Sequence, residues 1–252
     1  EGTRGYPAVG LTAPGTTPVL ELSQLLGSFL DERLDGVLIA QPIPATDGVV
    51  TVCVETVLLA DHAGGAHKLR KLTGAKIAAH PKAAKWYSGV MGRAAHLIDV
   101  SLTWWVAGRL GKPKKHIWYS PILKPDIILL DEQTLPGFED WQVLFTPGHT
   151  DHDITLFHDE TSQAYVADLM VSVKRQLAPP YPICHPNQYK QSLKRIQTLQ
   201  PQTVFCAHVP PLSINDIDFE AIIQQAPVLP KNHWNSAKNR IAHALGGQNA
   251  AH

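Results

Sequence analysis

Five residues of the 252-residue chain stand where apolar runs break off. Asp61 and His62 follow residues 49–59, His149 follows residues 141–145, Asp168 follows residues 164–167, and His208 follows residues 203–207. Runs of this kind, rich in β-branched and aromatic side chains, read as strands. Loops just past strand ends are where a rigid sheet displays its functional groups. Two carboxylates and three imidazoles gathered at one sheet edge make a mixed oxygen and nitrogen donor set. That set suits one Zn²⁺, with Fe or Mn as alternatives. An ion held there lowers the pKa of a bound water to about 7, supplies hydroxide at neutral pH, and polarises the carbonyl or phosphoryl oxygen under attack.

The elements that must position these residues alternate along the chain. Leu22, Leu25, Leu26, Phe29 and Leu30 form a helical stripe, and residues 37–39 read as a short strand. Residues 49–59 read as one or two strands. A helix with Leu69 and Leu72 on one face stops at Gly74. A strand over 75–79 is followed by a helix over 81–87 that opens with Pro81. Helix and loop fill 88–125, where Trp104, Trp105, Trp118 and Tyr119 read as core. Asn187 is the expected N-cap of a helix with Tyr189, Leu193, Ile196 and Leu199 on one face. A last helix carries Trp234, Ala237, Ile241 and Leu245. With no repeat and no long linker, this alternation implies layered α/β architecture and a single domain over 1–252.

Composition removes several classes of function. A 44% hydrophobic content excludes wholesale disorder. Lys+Arg 22 against Asp+Glu 22 leaves no net charge for a broad nucleic-acid face. No apolar run reaches the ~18 residues of a membrane span. Cys53, Cys184 and Cys206 form no metal-type pair and no even set for a disulfide framework, which points to a reducing, cytoplasmic compartment. The chain opens at Glu1 rather than Met, so its natural start is expected upstream. The expected partner is a small-molecule substrate, with no nucleic acid and no membrane, and the oligomeric state is left open.

The segments Ala60-Asp61-His62-Ala63-Gly64-Gly65, Thr146-Pro147-Gly148-His149-Thr150, Val166-Ala167-Asp168 and Ala207-His208 resemble the metallo-β-lactamase-fold hydrolases. Their order and separations agree: 149 − 62 = 87, 168 − 149 = 19 and 208 − 168 = 40. The resemblance covers roughly residues 50–215. It implies a four-layer αββα sandwich with the site along one edge of the two sheets. It also implies that Asp61, His62 and His208 belong to the family's second metal site, that Asp168 is the carboxylate bridging two metals, and that His149 is the third histidine of the first site.

The departures matter as much. The family pattern H-x-H-x-D-H, laid back from His62, puts Val57 and Leu59 where two histidines belong. Alternatively, a four-residue Thr-His-x-His segment is excised between Leu59 and Ala60. Either way His149 stands alone at the first site. Asp61, His62, His208 and Asp168 suffice for one ion with an open position. Upstream, only Ala45-Thr46-Asp47-Gly48 stands in for the family's Asp-Thr-Gly-like turn.

The resemblance implies a hydrolase that turns a metal-bound hydroxide on an ester, thioester, lactone or amide. Asp61 would orient the water and accept its proton. His62, His208 and Asp168 would hold the ion, and His149 would be a hydrogen-bond donor or partial ligand. The alternative is a catalytically impaired protein of the same fold with a binding or structural role. Plainer readings stand beside these: Asp61 and Asp168 as helix caps, His149 as a turn residue, and His208 as a strand-end histidine. His152 reads as a neighbour of the site or as solvated. His67, His80, His96, His116 and His158 read as surface or capping residues. Cys206 reads as a small buried hydrophobe. The loop bearing Pro179, Pro180, Pro182, Cys184 and His185 reads as a border of the cleft. The Lys68–Lys71 and Lys112–Lys115 clusters read as solvated faces.

Overall fold

Two sheets follow from two kinds of strand. In a computed structural model that describes residues 43–45, 48–50, 52–55, 66–73, 76–109, 118–207 and 209–231, β1 (Ile43–Ala45) and β2 (Gly48–Val50) form a short antiparallel hairpin. β3 (Val52–Glu55), β4 (Lys76–Ala79) and β5 (Ile127–Ile128) then pair in parallel. Parallel neighbours need long crossovers. Helix α1 (Ala66–Thr73) lies between β3 and β4, and helix α2 (Gly89–Arg109) between β4 and β5. The second sheet gathers β6 (Thr134–Leu135), β7 (Phe138–Phe145), β8 (Ile154–His158), β9 (Gln163–Ala167), β12 (Thr203–Cys206) and β13 (Val209–Ser213), in the order β13-β12-β9-β8-β7-β6. A hairpin of β10 (Val171–Val173) and β11 (Gln176–Ala178), helix α3 (Pro186–Leu199) and helix α4 (Phe219–Gln225) complete the described chain.

Side-chain alternation along the strands makes four layers. On β7 to β9 the inward set is Trp141, Val143, Ile154, Leu156, Tyr165 and Ala167, which meets Ala78 and Leu129 from the first sheet. The intervening residues Leu144, Phe157, Ala164 and Val166, with Val204 and Cys206 of β12, face α3 and α4 through Tyr189, Leu193, Ile196, Phe219 and Ile222. On the first sheet Ile77 and Ala79 point the other way, into a third cluster with Ala66, Tyr87 and Val100. Three apolar interfaces thus separate helix, sheet, sheet and helix: the αββα sandwich. The central strands β8 and β9 are covered on both faces, so they read as continuous apolar runs. Each fully buried Leu, Ile or Val contributes about 1.5–3 kcal/mol to holding the layers together.

Several expectations are corrected. Residues 81–87 make only a 3-10 turn at Ala83–Lys85, because the stretch is too short to nucleate a helix and Gly89, at φ +68°, turns the chain into α2. Helix α3 opens at Pro186, with His185 rather than Asn187 in the N-cap position. Proline fits that first position because its absent N–H needs no partner there. Asp168 precedes a turn and the β10–β11 hairpin, so it caps no helix. Trp104, Trp105 and Trp118 are exposed, and only Tyr119 of that aromatic group is core. His80 and His96 are buried rather than surface residues. His96 is ringed by Tyr87, Trp118 and Tyr119 at 4.6–5.2 Å between centroids, and burial lowers its pKa. The elements expected at 22–30, 37–39 and 234–245, and the residues Asp61, His62, His116 and His208, lie outside the described residues. Among the described residues no helix is long and apolar enough to cross a membrane.

Candidate metal centre

The pairing pattern sends several strands to one edge. β7 and β8 are antiparallel, as are β8 and β9, while β12 runs parallel to β9. β7, β9 and β12 therefore all end at the same edge, and His149 and Asp168 follow the first two. β12 ends level with β9, Cys206 opposite Ala167, and the Ala207 N–H donates to the Ala167 carbonyl at 3.0 Å. From the other sheet, β3 and β4 end together at Glu55 and Ala79. The next residue, His80, stacks on Phe145 of β7 with ring centroids 4.3 Å apart. α1, which follows the Asp61-His62 segment, is tied down by Arg70, whose guanidinium donates to Asp126 at 2.7 Å.

His149 sits in a turn built to hold its ring. The Gly148 N–H donates to the Thr150 carbonyl at 2.8 Å, and the Gly148 carbonyl accepts N–H groups of Cys184 and His185, both at 3.0 Å. Thr150 donates its N–H to Asp153 Oδ2 at 2.7 Å and its hydroxyl to Asp153 Oδ1. The imidazole Nδ1 lies 2.6 Å from the Pro182 carbonyl oxygen. A carbonyl only accepts, so Nδ1 carries a proton, and in the neutral ring the lone pair is then on Nε2. That Nε2 is buried and has no hydrogen-bond partner among the described residues.

It faces a carboxylate. Asp168 Oδ2 lies 3.5 Å from His149 Nε2, and both side chains are almost fully buried. With the ring neutral, the nitrogen lone pair and the carboxylate repel unless a cation stands between them. A tetrahedral ion with ligands at about 2.1 Å separates its donors by about 3.4 Å, close to the separation observed. Asp168 is aimed by the residue before it: Ala167 sits at φ +50°, a conformation that costs a non-glycine residue on the order of 1 kcal/mol and recurs at functional sites. Helix α3 secures both arms. Ser192 donates its hydroxyl to the Pro147 carbonyl, and Tyr189 donates its own to the Leu169 carbonyl, each at 2.8 Å and buried.

The family model of the metallo-beta-lactamase superfamily matches residues 60–208, more than half of the chain. The chain belongs to the metallo-beta-lactamase superfamily. Among solved structures it is similar to an archaeal superfamily protein from Sulfolobus tokodaii (22% identity, TM-score 0.50, covering 69% of this chain and 66% of that one). It is also similar to a metallo-beta-lactamase family protein from Thermus thermophilus (16% identity, TM-score 0.51, covering 92% and 71%). These likenesses show the fold. No curated protein matches the chain. The superfamily match opens at Ala60, just past Val57 and Leu59.

Around the His149–Asp168 pair this superfamily member has neighbours that a sequence pattern does not separate. His152 is fully buried rather than solvated, with Nδ1 3.0 Å from Asp151 Oδ1 and its ring edge-on to Trp86. Burial alone would raise the Asp151 carboxyl, but the His152 hydrogen bond and charge leave it below its ordinary value. Burial pushes the His80 imidazole down to about 4, with Lys82 and His152 adding to the effect against Asp151 and Asp131. Cys206 is buried in the helix-facing core. Burial, with the Asp168 charge, pushes its thiol up to about 12, and the side chain packs there as a small hydrophobe.

A second donor group, Asp140, His158 and Glu160, lies near the surface at the far end of β8. Its imidazole has the wrong proton. His158 Nδ1 accepts the Thr161 N–H at 3.2 Å, so Nε2 carries hydrogen and has no lone pair for an ion. His149 has the opposite arrangement. The supporting groups that sequence reasoning missed are Asp153, Tyr189, Ser192 and the Pro182 carbonyl. Of these, only the Thr150-x-x-Asp153 spacing carried a signal.

Proposed function

We propose that this superfamily member is a metal-dependent hydrolase acting on an ester, thioester, lactone or amide. In this reading Asp61, His62, Asp168 and His208 hold one ion, and His149 joins them as partner or partial ligand. The observation that carries the reading is the buried, unpartnered Nε2 of His149 directed at Asp168 Oδ2, 3.5 Å away. The nitrogen and oxygen donors favour zinc, with iron or manganese as alternatives. When bound, a divalent ion there acidifies a water to a pKa of about 7 and polarises the scissile carbonyl.

The chain's own residues do the rest. Pro182 keeps the His149 proton on Nδ1, so the tautomer does not need to change. Tyr189 and Ser192 fix the two turns, so the donors are in place before substrate arrives. Asp61 orients the attacking water and takes its proton. The burial of the donors keeps the local dielectric low, which strengthens each charge interaction. The absent Thr-His-x-His favours a second reading: the same fold, catalytically impaired, with a binding or structural role. Three cysteines, an odd number, fit a cytoplasmic setting for either.

Assays of untagged, metal-loaded protein on a panel of ester, thioester, lactone and amide substrates separate the two. Asp61→Ala, Asp168→Ala and His208→Ala are expected to lower a hydrolytic rate by about 10²-fold or more. Rates unchanged in all three variants would overturn the enzyme reading and leave the second standing.

A further inference from the structure

Helix α3 grips the arm that bears His149 at one more point. Its residues Tyr189, Ser192 and Arg195 are spaced by three, so each neighbours the next along the helix surface. They meet the arm in reverse order. Tyr189 packs on Gly148, where a Cβ would stand 2.3 Å from its Cα, and Ser192 donates to the Pro147 carbonyl at 2.8 Å. Arg195 reaches Phe145, the last residue of β7, and its Nη1 donates to the Phe145 carbonyl at 3.1 Å. The same Nη1 donates to Asp131 Oδ1 at 2.8 Å and Oδ2 at 2.9 Å, and Nη2 donates to Glu132 Oε1 at 3.1 Å. Asp131 Oδ1 closes the ring by accepting the Phe145 N–H at 2.7 Å.

This knot stands where a backbone ladder gives way to side chains. Beside β7, the chain entering β6 bonds Val143 on both sides: the Glu132 N–H donates to the Val143 carbonyl at 2.7 Å, and the Val143 N–H donates to the Gln133 carbonyl at 2.8 Å. Glu132, at φ +61°, marks the bend in that chain. Two residues further along β7, Asp131 takes the Phe145 N–H and Arg195 serves its carbonyl, which extends the ladder by one step. Asp131 also lies on the crossover between the sheets, two residues after Leu129, whose N–H donates to the Ala79 carbonyl of β4 at 3.0 Å. The Phe145 ring completes the link by stacking on His80, the residue after β4. Both sheets and α3 thus meet four residues before His149. The Arg195 and Asp131 side chains are 29% and 43% exposed, and so open an ion pair adds little to global stability. Its hold is local: without the guanidinium, the part-buried Phe145 carbonyl loses its donor. We propose that Arg195, oriented by Asp131, is a positioning residue of the metal centre that fixes the end of β7 and with it the reach of His149 toward Asp168, given that the pair shares an ion as proposed above.

The test measures the zinc dissociation constant of the untagged full-length chain, by competition with a chelating dye, for wild type, Arg195→Met and Arg195→Lys. Arg195→Met is expected to bind zinc about tenfold or more weakly, the scale on which groups behind metal ligands act. Arg195→Lys keeps the charge but not the fork that serves Asp131 and Phe145 together, and is expected to fall between the two. The direction separates positioning from charge, because deleting a cation near a divalent ion would by itself tighten binding. The visible absorption of cobalt-loaded protein is the second readout. Arg195→Met is expected to displace the band, which a loss of fold stability alone does not do. Wild-type zinc affinity and an unmoved cobalt band in Arg195→Met would overturn the proposal and leave the metal centre standing. Should Arg195→Met not fold, the same result in Arg195→Lys would overturn it. A wild type that takes up no zinc and no cobalt would overturn both the proposal and the metal centre.

Discussion

A single methyl group on Gly148 tests how the centre is held. The residue lies at φ +152°, and a Cβ built there would stand 2.3 Å from Tyr189 Cα, 2.4 Å from its Cβ and 2.7 Å from its N. Carbon contacts become favourable only beyond about 3.4 Å, so Gly148→Ala must part the turn from helix α3 by about 1 Å. Neither side yields cheaply. The turn is bonded through Gly148 to Thr150, Cys184 and His185, and α3 is bonded to it through Ser192. Overpacking of this kind costs about 1–3 kcal/mol, and the strained φ adds about 1 kcal/mol more. A 1 Å displacement of a positioned group costs a reaction about 10²-fold. The assay is urea unfolding at matched m-values, followed by turnover of whichever substrate the wild type hydrolyses. A variant within about 0.5 kcal/mol of wild type, the scatter of ordinary surface changes, and with unchanged turnover would refute the clamp.

Tyr189→Phe deletes a buried bond to the Leu169 carbonyl and is expected to lower the unfolding free energy by about 1–3 kcal/mol; a melting curve that superimposes on wild type would contradict it. His80 is held down to about 4 from 6.5, so as pH falls through that window the unfolded chain takes up a proton before the native one does. Stability is complete above 6.5 and declines toward 4, by up to about 3 kcal/mol. His80→Phe should flatten that slope in denaturation series, and equal slopes would dispose of the assignment. At the surface cluster, the double variant Asp140→Asn, Glu160→Gln should leave bound metal unchanged by elemental analysis; a drop would mean that the His158 tautomer argument is wrong.

Layered α/β architecture was legible because the strands carry two signals at once, apolar runs of strand length and turn residues where they end, while the four-layer sandwich followed from the family resemblance. Trp141 to Phe145 and Ala164 to Ala167 needed no tertiary information. β13 and the β10–β11 hairpin did, since Val209-Pro210-Pro211 and Val171-Ser172-Val173 are short, half-exposed and weakly patterned. The start of α3 slipped by two residues because Asn187 is the stronger capping type, while the fold uses Pro186 to enter the helix beside Gly148. At the centre, the types His149 and Asp168 were readable from strand-end placement. Their orientation was not, because it depends on a backbone carbonyl 33 residues away in the Pro182 loop. The burial of His80 and His96 escaped for a related reason: polar type predicts exposure, and both rings are covered by aromatic partners from other elements.

Metal stoichiometry tests the central claim most directly. Elemental analysis of untagged protein, before and after reconstitution with zinc, iron or manganese, is expected to give about one equivalent for wild type and a marked loss for Asp168→Ala, with Asp140→Asn as the unaffected control. Less than about a tenth of an equivalent in the wild type, with no gain on reconstitution, would mean that the His149–Asp168 pair holds no ion.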